Sequence, residues 1–105
     1  MSSESRLKQE CKEIVTLGLG GRLIQTKPSA VNGFPDSILL LPGCPPVFIE
    51  FKAPGKKPRK NQARWGEWLD AAQFHYWLVD DFDDFNKWVK RLMFIHVKSK
   101  DITKP

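Results

Sequence analysis

The side chains that could do chemistry sit in two short runs that are otherwise apolar. Residues 36–41 read Asp-Ser-Ile-Leu-Leu-Leu and residues 47–52 read Val-Phe-Ile-Glu-Phe-Lys, so the polar positions are Asp36, Ser37, Glu50 and Lys52. Pro42-Gly-Cys-Pro-Pro46 joins the runs, and such a breaker string reads as the turn of a β-hairpin. Strands that are apolar on both faces are buried on both faces, which puts this hairpin at the centre of a sheet. With Leu41 opposite Val47, Asp36 falls opposite Lys52 and Ile38 opposite Glu50. Opposed residues, and residues two apart, share a face. Asp36, Glu50 and Lys52 are therefore expected on one side of the sheet, where a one-residue slip would separate them.

Buried charges cost on the order of several kcal/mol unless they are paired or bound to metal. One reading is a plain ion pair of Lys52 with Asp36 or Glu50 at the sheet edge. The other is a metal site. Magnesium is usually held by one or two carboxylates, with water or substrate phosphate oxygens completing its shell. A neighbouring lysine can then orient a water and neutralise charge that builds on a phosphate. Those parts suit hydrolysis of a phosphodiester.

A run of positive charge follows the second strand. Lys52, Lys56, Lys57, Arg59, Lys60 and Arg64 put six cations into thirteen residues with no acid among them. The whole chain carries 17 basic against 12 acidic residues, a net +5, which favours a polyanionic partner such as nucleic acid. Beside the hairpin, the run would form a rim that grips a phosphate backbone, with Lys27 as one more contact. The plainer alternative is a solvated loop. Trp65, Trp68, Trp77 and Trp88 fall on helix or strand stripes and are expected mostly in the core rather than as base-stacking platforms. His75 and His96 have no partner at metal or triad spacing. Asp80, Asp81, Asp83 and Asp84 lack the calcium-loop pattern and fit helix capping better. Cys11 and Cys44 make neither a disulfide framework nor a zinc set. They read as free thiols in a reducing compartment, here the cytoplasm. The polar N-terminus is unlike a signal peptide, and no apolar run approaches the ~20 residues of a membrane helix.

These residues need a scaffold, and 105 residues supply one domain, residues 1–105. At 41% hydrophobic and 28% charged, the chain is neither collagen-like, low-complexity nor mostly disordered. Residues 3–17 predict a helix with Leu7, Cys11, Ile14 and Val15 on one stripe, capped by Ser3 or Ser5 and stopped by Gly18, Gly20 and Gly21. Residues 22–26 predict a short strand, and 27–36 a Pro/Gly-rich loop before the hairpin. A second helix is expected over 61–72 with Trp65, Trp68, Leu69 and Ala72 inward, then a strand at His75–Val79. A third helix is expected at Asp81–Leu92 with Phe82, Phe85, Trp88, Val89 and Leu92 inward. Phe94–Val97 predicts a last short strand, with a flexible tail from about residue 98. The order α-β-β-β-α-β-α gives an α/β fold, a small central mixed sheet flanked by helices.

Gly33-Phe34-Pro35-Asp36, then the hairpin, then Ile49-Glu50-Phe51-Lys52 resembles the PD-(D/E)XK nuclease signature. Gln62, ten residues after Lys52 on the next helix, together with Gly20-Gly21 and Lys27, is similar to the VRR-NUC branch, in its stand-alone viral and bacterial form. The resemblance runs from residue 4 to about residue 90. It implies a restriction-endonuclease-like core and an endodeoxyribonuclease that uses Mg2+ or Mn2+ and an activated water, with no covalent intermediate. Asp36 and Glu50 would be metal ligands and the Phe51 carbonyl would complete the set. Lys52 would position the water, and Gln62 would support the site from above the sheet. The family also has a first-helix glutamate that reaches the metal, here Glu4 or Glu10. Apolar phase favours Glu4, with Leu7 at +3 and Cys11 at +7; Glu10 lies nearer the usual distance before the glycines. Stand-alone members look like Holliday-junction resolvases that work as homodimers, whose two sites cut two strands of a two-fold substrate. Phe94–Val97 is a candidate contributor to such an interface. So small a domain would read DNA shape and backbone rather than sequence. The alternatives are a flap, fork or nicking endonuclease with the same residues, or a non-catalytic DNA-binding module.

Overall fold

The computed structural model describes residues 2–27 and 31–103, with side chains as far as Val97. Residues 28–30 of the expected loop, and residues 1, 104 and 105, lie outside the described residues.

Helix α1 (Ser3–Glu13) begins at Ser2, whose Oγ accepts the Ser5 N–H at 3.1 Å; the cap is one residue earlier than expected. A wider π turn over Ile14–Gly18 continues it, and Gly20, at φ 67°, takes the left-handed conformation that reverses the chain. Four strands follow: β1 (Arg22–Gln25), β2 (Ser37–Leu40), β3 (Val47–Phe51) and β4 (His75–Val79). They form one sheet in the order β1-β2-β3-β4, antiparallel except for the parallel pair β3 and β4. A parallel pair needs a crossover, and α2 (Lys60–Ala71) provides it. Helix α3 (Phe82–Thr103) closes the fold. This is the expected element order up to α3.

Strand alternation divides the sheet into two faces. Leu39, Val47, Ile49, Phe51 and Val79 point to one face and meet Leu7, Cys11 and Val15 of α1 and the adjoining turn, and Phe85, Val89 and Leu92 of α3, in one buried core. The other face carries Phe48, Glu50 and Tyr76 under α2. There Gly66 lets the helix close down: a Cβ at that position would stand 2.6 Å from the Tyr76 ring. The polar residues that matter therefore sit on the thinner, single-helix side of the sheet.

Three expectations are corrected. The hairpin register is Leu39 opposite Val47, Ile38 opposite Phe48 and Ser37 opposite Ile49, two residues from the register expected. Leu41 belongs to the turn: the Cys44 N–H donates to the Leu41 carbonyl at 3.0 Å, with Pro42 and then Gly43 at φ 80° between them, the chemistry of a type II turn. A two-residue slip keeps every side chain on its face, so Asp36 lies level with Glu50 rather than Lys52. Phe94–Val97 is helical, because no glycine or proline interrupts residues 82–103 and α3 runs straight through. Finally, Trp68 is 57% exposed. One helix cannot cover a four-stranded face, and Ile24 and Leu40 on the uncovered strands are also exposed.

Gly33 joins the two elements that carry the site. Its φ is +84°, and a Cβ there would stand 2.7 Å from the Asn61 carbonyl carbon at the start of α2. Gly33→Ala is expected to lower stability by about 1–3 kcal/mol through this strain, read as a lower urea midpoint at unchanged slope.

Candidate active site

Asp36 sits one residue before β2 and is held from several sides. The Thr26 N–H donates to its carbonyl at 2.8 Å, and Thr26 Oγ1 donates to the Pro35 carbonyl at 2.7 Å, which ties the approach loop to the end of β1. Asp36 Oδ1 accepts from Ser37 Oγ at 2.9 Å, and Oδ2 accepts the Phe51 N–H at 3.2 Å. The second contact bridges the hairpin where its ladder ends. Lys8 Nζ of α1 lies 3.6 Å from the same Oδ2.

Glu50 is 3% exposed. Its Oε2 accepts from Gln62 Nε2 at 3.2 Å and lies 3.8 Å from Lys52 Nζ. Gln62 also accepts the Arg59 N–H through Oε1 at 2.9 Å. One amide thus caps α2 and orients Glu50, which needs an acceptor and a donor on the same group. A carboxylate could do the first but not the second.

Burial pushes the Glu50 carboxyl up from 4.5 to about 7; Asp36 adds to the rise by its charge and a hydrogen bond, Glu4 adds a little, and Lys52 opposes it. The same two carboxylates reach Tyr76, whose hydroxyl rises to about 12 through burial and then the charges of Glu50 and Asp36. The sequence offers no signal for Tyr76, since only the β3–β4 register brings it near. Cys11 is a buried core thiol, pushed up to about 12 by burial and then by Glu10.

Of the two first-helix candidates, the structure brings Glu4 to this cluster. Its Oε2 is 3.7 Å from the Lys8 ammonium that also meets Asp36. Glu10 instead lines a hollow with Glu13, Ile14, Leu17 and Phe82. Lys8 itself was not among the expected site residues. The i,i+4 spacing from Glu4 was its available signal.

Lys27, Lys56, Lys57, Arg59, Lys60 and Arg64 are all exposed, and none is in an ion pair among the described residues. The Gly55 N–H donates to Asp80 at 3.4 Å, which ties the basic loop to the end of β4. Asp81 caps α3 by accepting the Asp84 N–H at 3.0 Å, as the aspartate run suggested. His75 and His96 are not isolated: their rings meet edge-on at 5.9 Å.

The donor set suits a hard divalent cation. Two carboxylates, Asp36 and Glu50, share one end of the sheet, and the charge of Asp36 disfavours ionisation of Glu50, a conflict a cation relieves. Among the described residues no three Asp, Glu, His or Cys side chains are grouped to hold a metal unaided. Mg2+ and Mn2+ do not require that, because one or two carboxylates with water and phosphate oxygens suffice for such ions.

Compared with known proteins, the chain matches no family model and no curated protein. Among solved structures it superposes on a chain described as a VRR_NUC domain with a TM-score of 0.76 and 25% identity, covering 86% of this chain and 97% of that one. It therefore shares the fold of that VRR_NUC domain. This is the α/β fold expected from the sequence, a small mixed sheet flanked by helices. No helix among the described residues is long and apolar enough to cross a membrane.

The raised Glu50 pKa makes stability depend on pH. Because it lies above the unfolded value of 4.5, its stabilising contribution is complete below pH 4.5 and is lost as pH rises through about 7. At ~1.4 kcal/mol per pH unit, the loss is on the order of 3 kcal/mol. Metal-free protein is expected to melt lower at pH 8 than at pH 5.5, and Glu50→Gln to flatten this dependence. Differential scanning calorimetry across that range checks both.

Proposed function

We propose that this chain is a Mg2+- or Mn2+-dependent endonuclease that hydrolyses phosphodiester bonds in branched DNA, resolving four-way junctions as a homodimer. The observation that carries the reading is the pairing of Asp36 with buried Glu50 on one sheet face, beside Lys52 and an exposed cationic rim. A DNA-binding module without catalysis explains the rim but not the carboxylates, which would repel phosphate.

Asp36 and Glu50, with the Phe51 carbonyl and Glu4, would hold the ion. The bound ion would supply Lewis-acid polarisation of the phosphate and an activated water. The chain's own residues do the rest. Ser37 and the Phe51 N–H fix the Asp36 carboxylate. Gln62 keeps Glu50 from turning toward Lys52 alone. The Lys52 side chain is 14% exposed, so its ammonium sits in a low-dielectric setting and acts strongly on charge gathering at a phosphate. Lys27, Lys56, Lys57, Arg59, Lys60 and Arg64 hold the DNA backbone.

The homodimer draws support from the uncovered sheet face. Ile24, Leu40, Trp68 and Phe74 are each exposed on the α2 side, and an exposed apolar area of that kind marks a protein interface. Light scattering at micromolar concentration is expected to give a dimer, and Trp68→Glu a monomer. A wild-type monomer would remove the dimer and leave the nuclease.

Cleavage is tested with a labelled four-way junction, and with flap, fork and linear duplex DNA alongside. Paired cuts in Mg2+ or Mn2+, absent in EDTA, are expected on the junction. Asp36→Asn, Glu50→Gln and Lys52→Ala should each lose ~100-fold or more in rate while still binding DNA. Preferred cutting of flap or fork DNA would redirect the substrate. Binding with no cleavage in either metal would sink the catalytic reading. Lys57→Ala with Arg59→Ala should weaken binding to all these DNAs alike and flatten its salt dependence by about two phosphate contacts.

A further inference from the structure

One cation of the cluster has no part in the roles above. Lys8 Nζ lies 3.6 Å from Asp36 Oδ2 and 3.7 Å from Glu4 Oε2. Burial of Leu7 and Cys11 fixes the rotation of α1, which leaves Glu4 and Lys8, one turn apart, leaning over the end of the hairpin. The two lysines of the site divide its acids between them: Lys52 meets Glu50, and Lys8 meets the other two.

We propose that Lys8 is the internal counter-cation of this site, bridging Glu4 and Asp36 until a divalent ion displaces it. The inference rests on the metal reading given above. Asp36 Oδ2 already accepts the Phe51 N–H, so a further cation at this oxygen must compete with the ammonium for it. Both are positive, so their occupancy of one carboxylate edge is mutually unfavourable. The Lys8 side chain is 26% exposed, and a four-carbon stem lets its ammonium swing into solvent without moving the helix. Without metal, Lys8 keeps Glu4 and Asp36 from repelling each other. With metal, it gives up Asp36 and stays tethered at the rim. Lys8 is thus a positioning residue that sets how much free ion the site needs.

The test is Mn2+ titration by calorimetry on the full chain without DNA, comparing wild type with Lys8→Met, Lys8→Arg and Lys12→Met. Lys12 is exposed on the same helix one turn on, in no ion pair among the described residues, and controls for the general field. Lys8→Met is expected to bind Mn2+ about fivefold or more tightly, with Lys8→Arg and Lys12→Met within about twofold of wild type. Metal-free Lys8→Met should also melt below wild type, with the gap closing at saturating Mn2+. Damage to the fold cannot tighten metal binding, so this direction separates the proposal from a structural role. Wild-type binding with no tightening in Lys8→Met, or equal tightening in Lys12→Met, would overturn this inference alone. No Mn2+ binding by wild type or Lys8→Met would overturn the metal reading and this inference with it.

Discussion

Glu50 is almost without solvent and has a second carboxylate, Asp36, beside it at the end of the same hairpin. Two negative charges in that setting can coexist only with a proton or a cation between or around them. The nearby structure answers to this conflict. Lys52 and Lys8 each take up part of the charge, Gln62 donates to one carboxylate, and Ser37 and the Phe51 N–H donate to the other. A structural ion pair needs one acid and one base. The second acid raises the cost of the arrangement, which supports the divalent ion proposed for it.

The fold makes the conflict sustainable by putting it on a rigid seam. The core face, with Ile49 and Phe51 fully buried against α1 and α3, fixes β3. Alternation along that strand then forces Glu50 to the opposite face. The start of α2 meets the same point from above, through Gln62 and through the close approach of Gly33 to Asn61. Movement of the hairpin, the approach loop or α2 would therefore disturb the carboxylates together.

Residue type and spacing carried much of this. The apolar runs with Asp36, Glu50 and Lys52 as their exceptions marked the hairpin, and a period of two assigned them one face. That assignment survived a register error of two residues because parity survived. The error came from the turn, where Leu41 serves Cys44 rather than the ladder. Gln62 entered through the family resemblance, and its double duty as cap and orienter emerges only in three dimensions. Helix phase favoured Glu4 and the distance before the glycines favoured Glu10, so the sequence left both open. Tyr76, the meeting of His75 with His96 and the approach of Lys8 to Asp36 depend on long-range packing that no local pattern encodes. Trp68 misled because a helical stripe says which residues align, not how far the opposing sheet extends beneath them.

The central claim is that Glu50 and Asp36 form one electrostatic unit built for a cation. Carbon-13 NMR titration of the Glu50 side-chain carboxyl, with and without Mg2+, tests it most directly. The account predicts a titration near pH 7 in metal-free protein, moving down well below that when Mg2+ is bound. A titration at the ordinary glutamate value, or one that Mg2+ leaves in place, would contradict it.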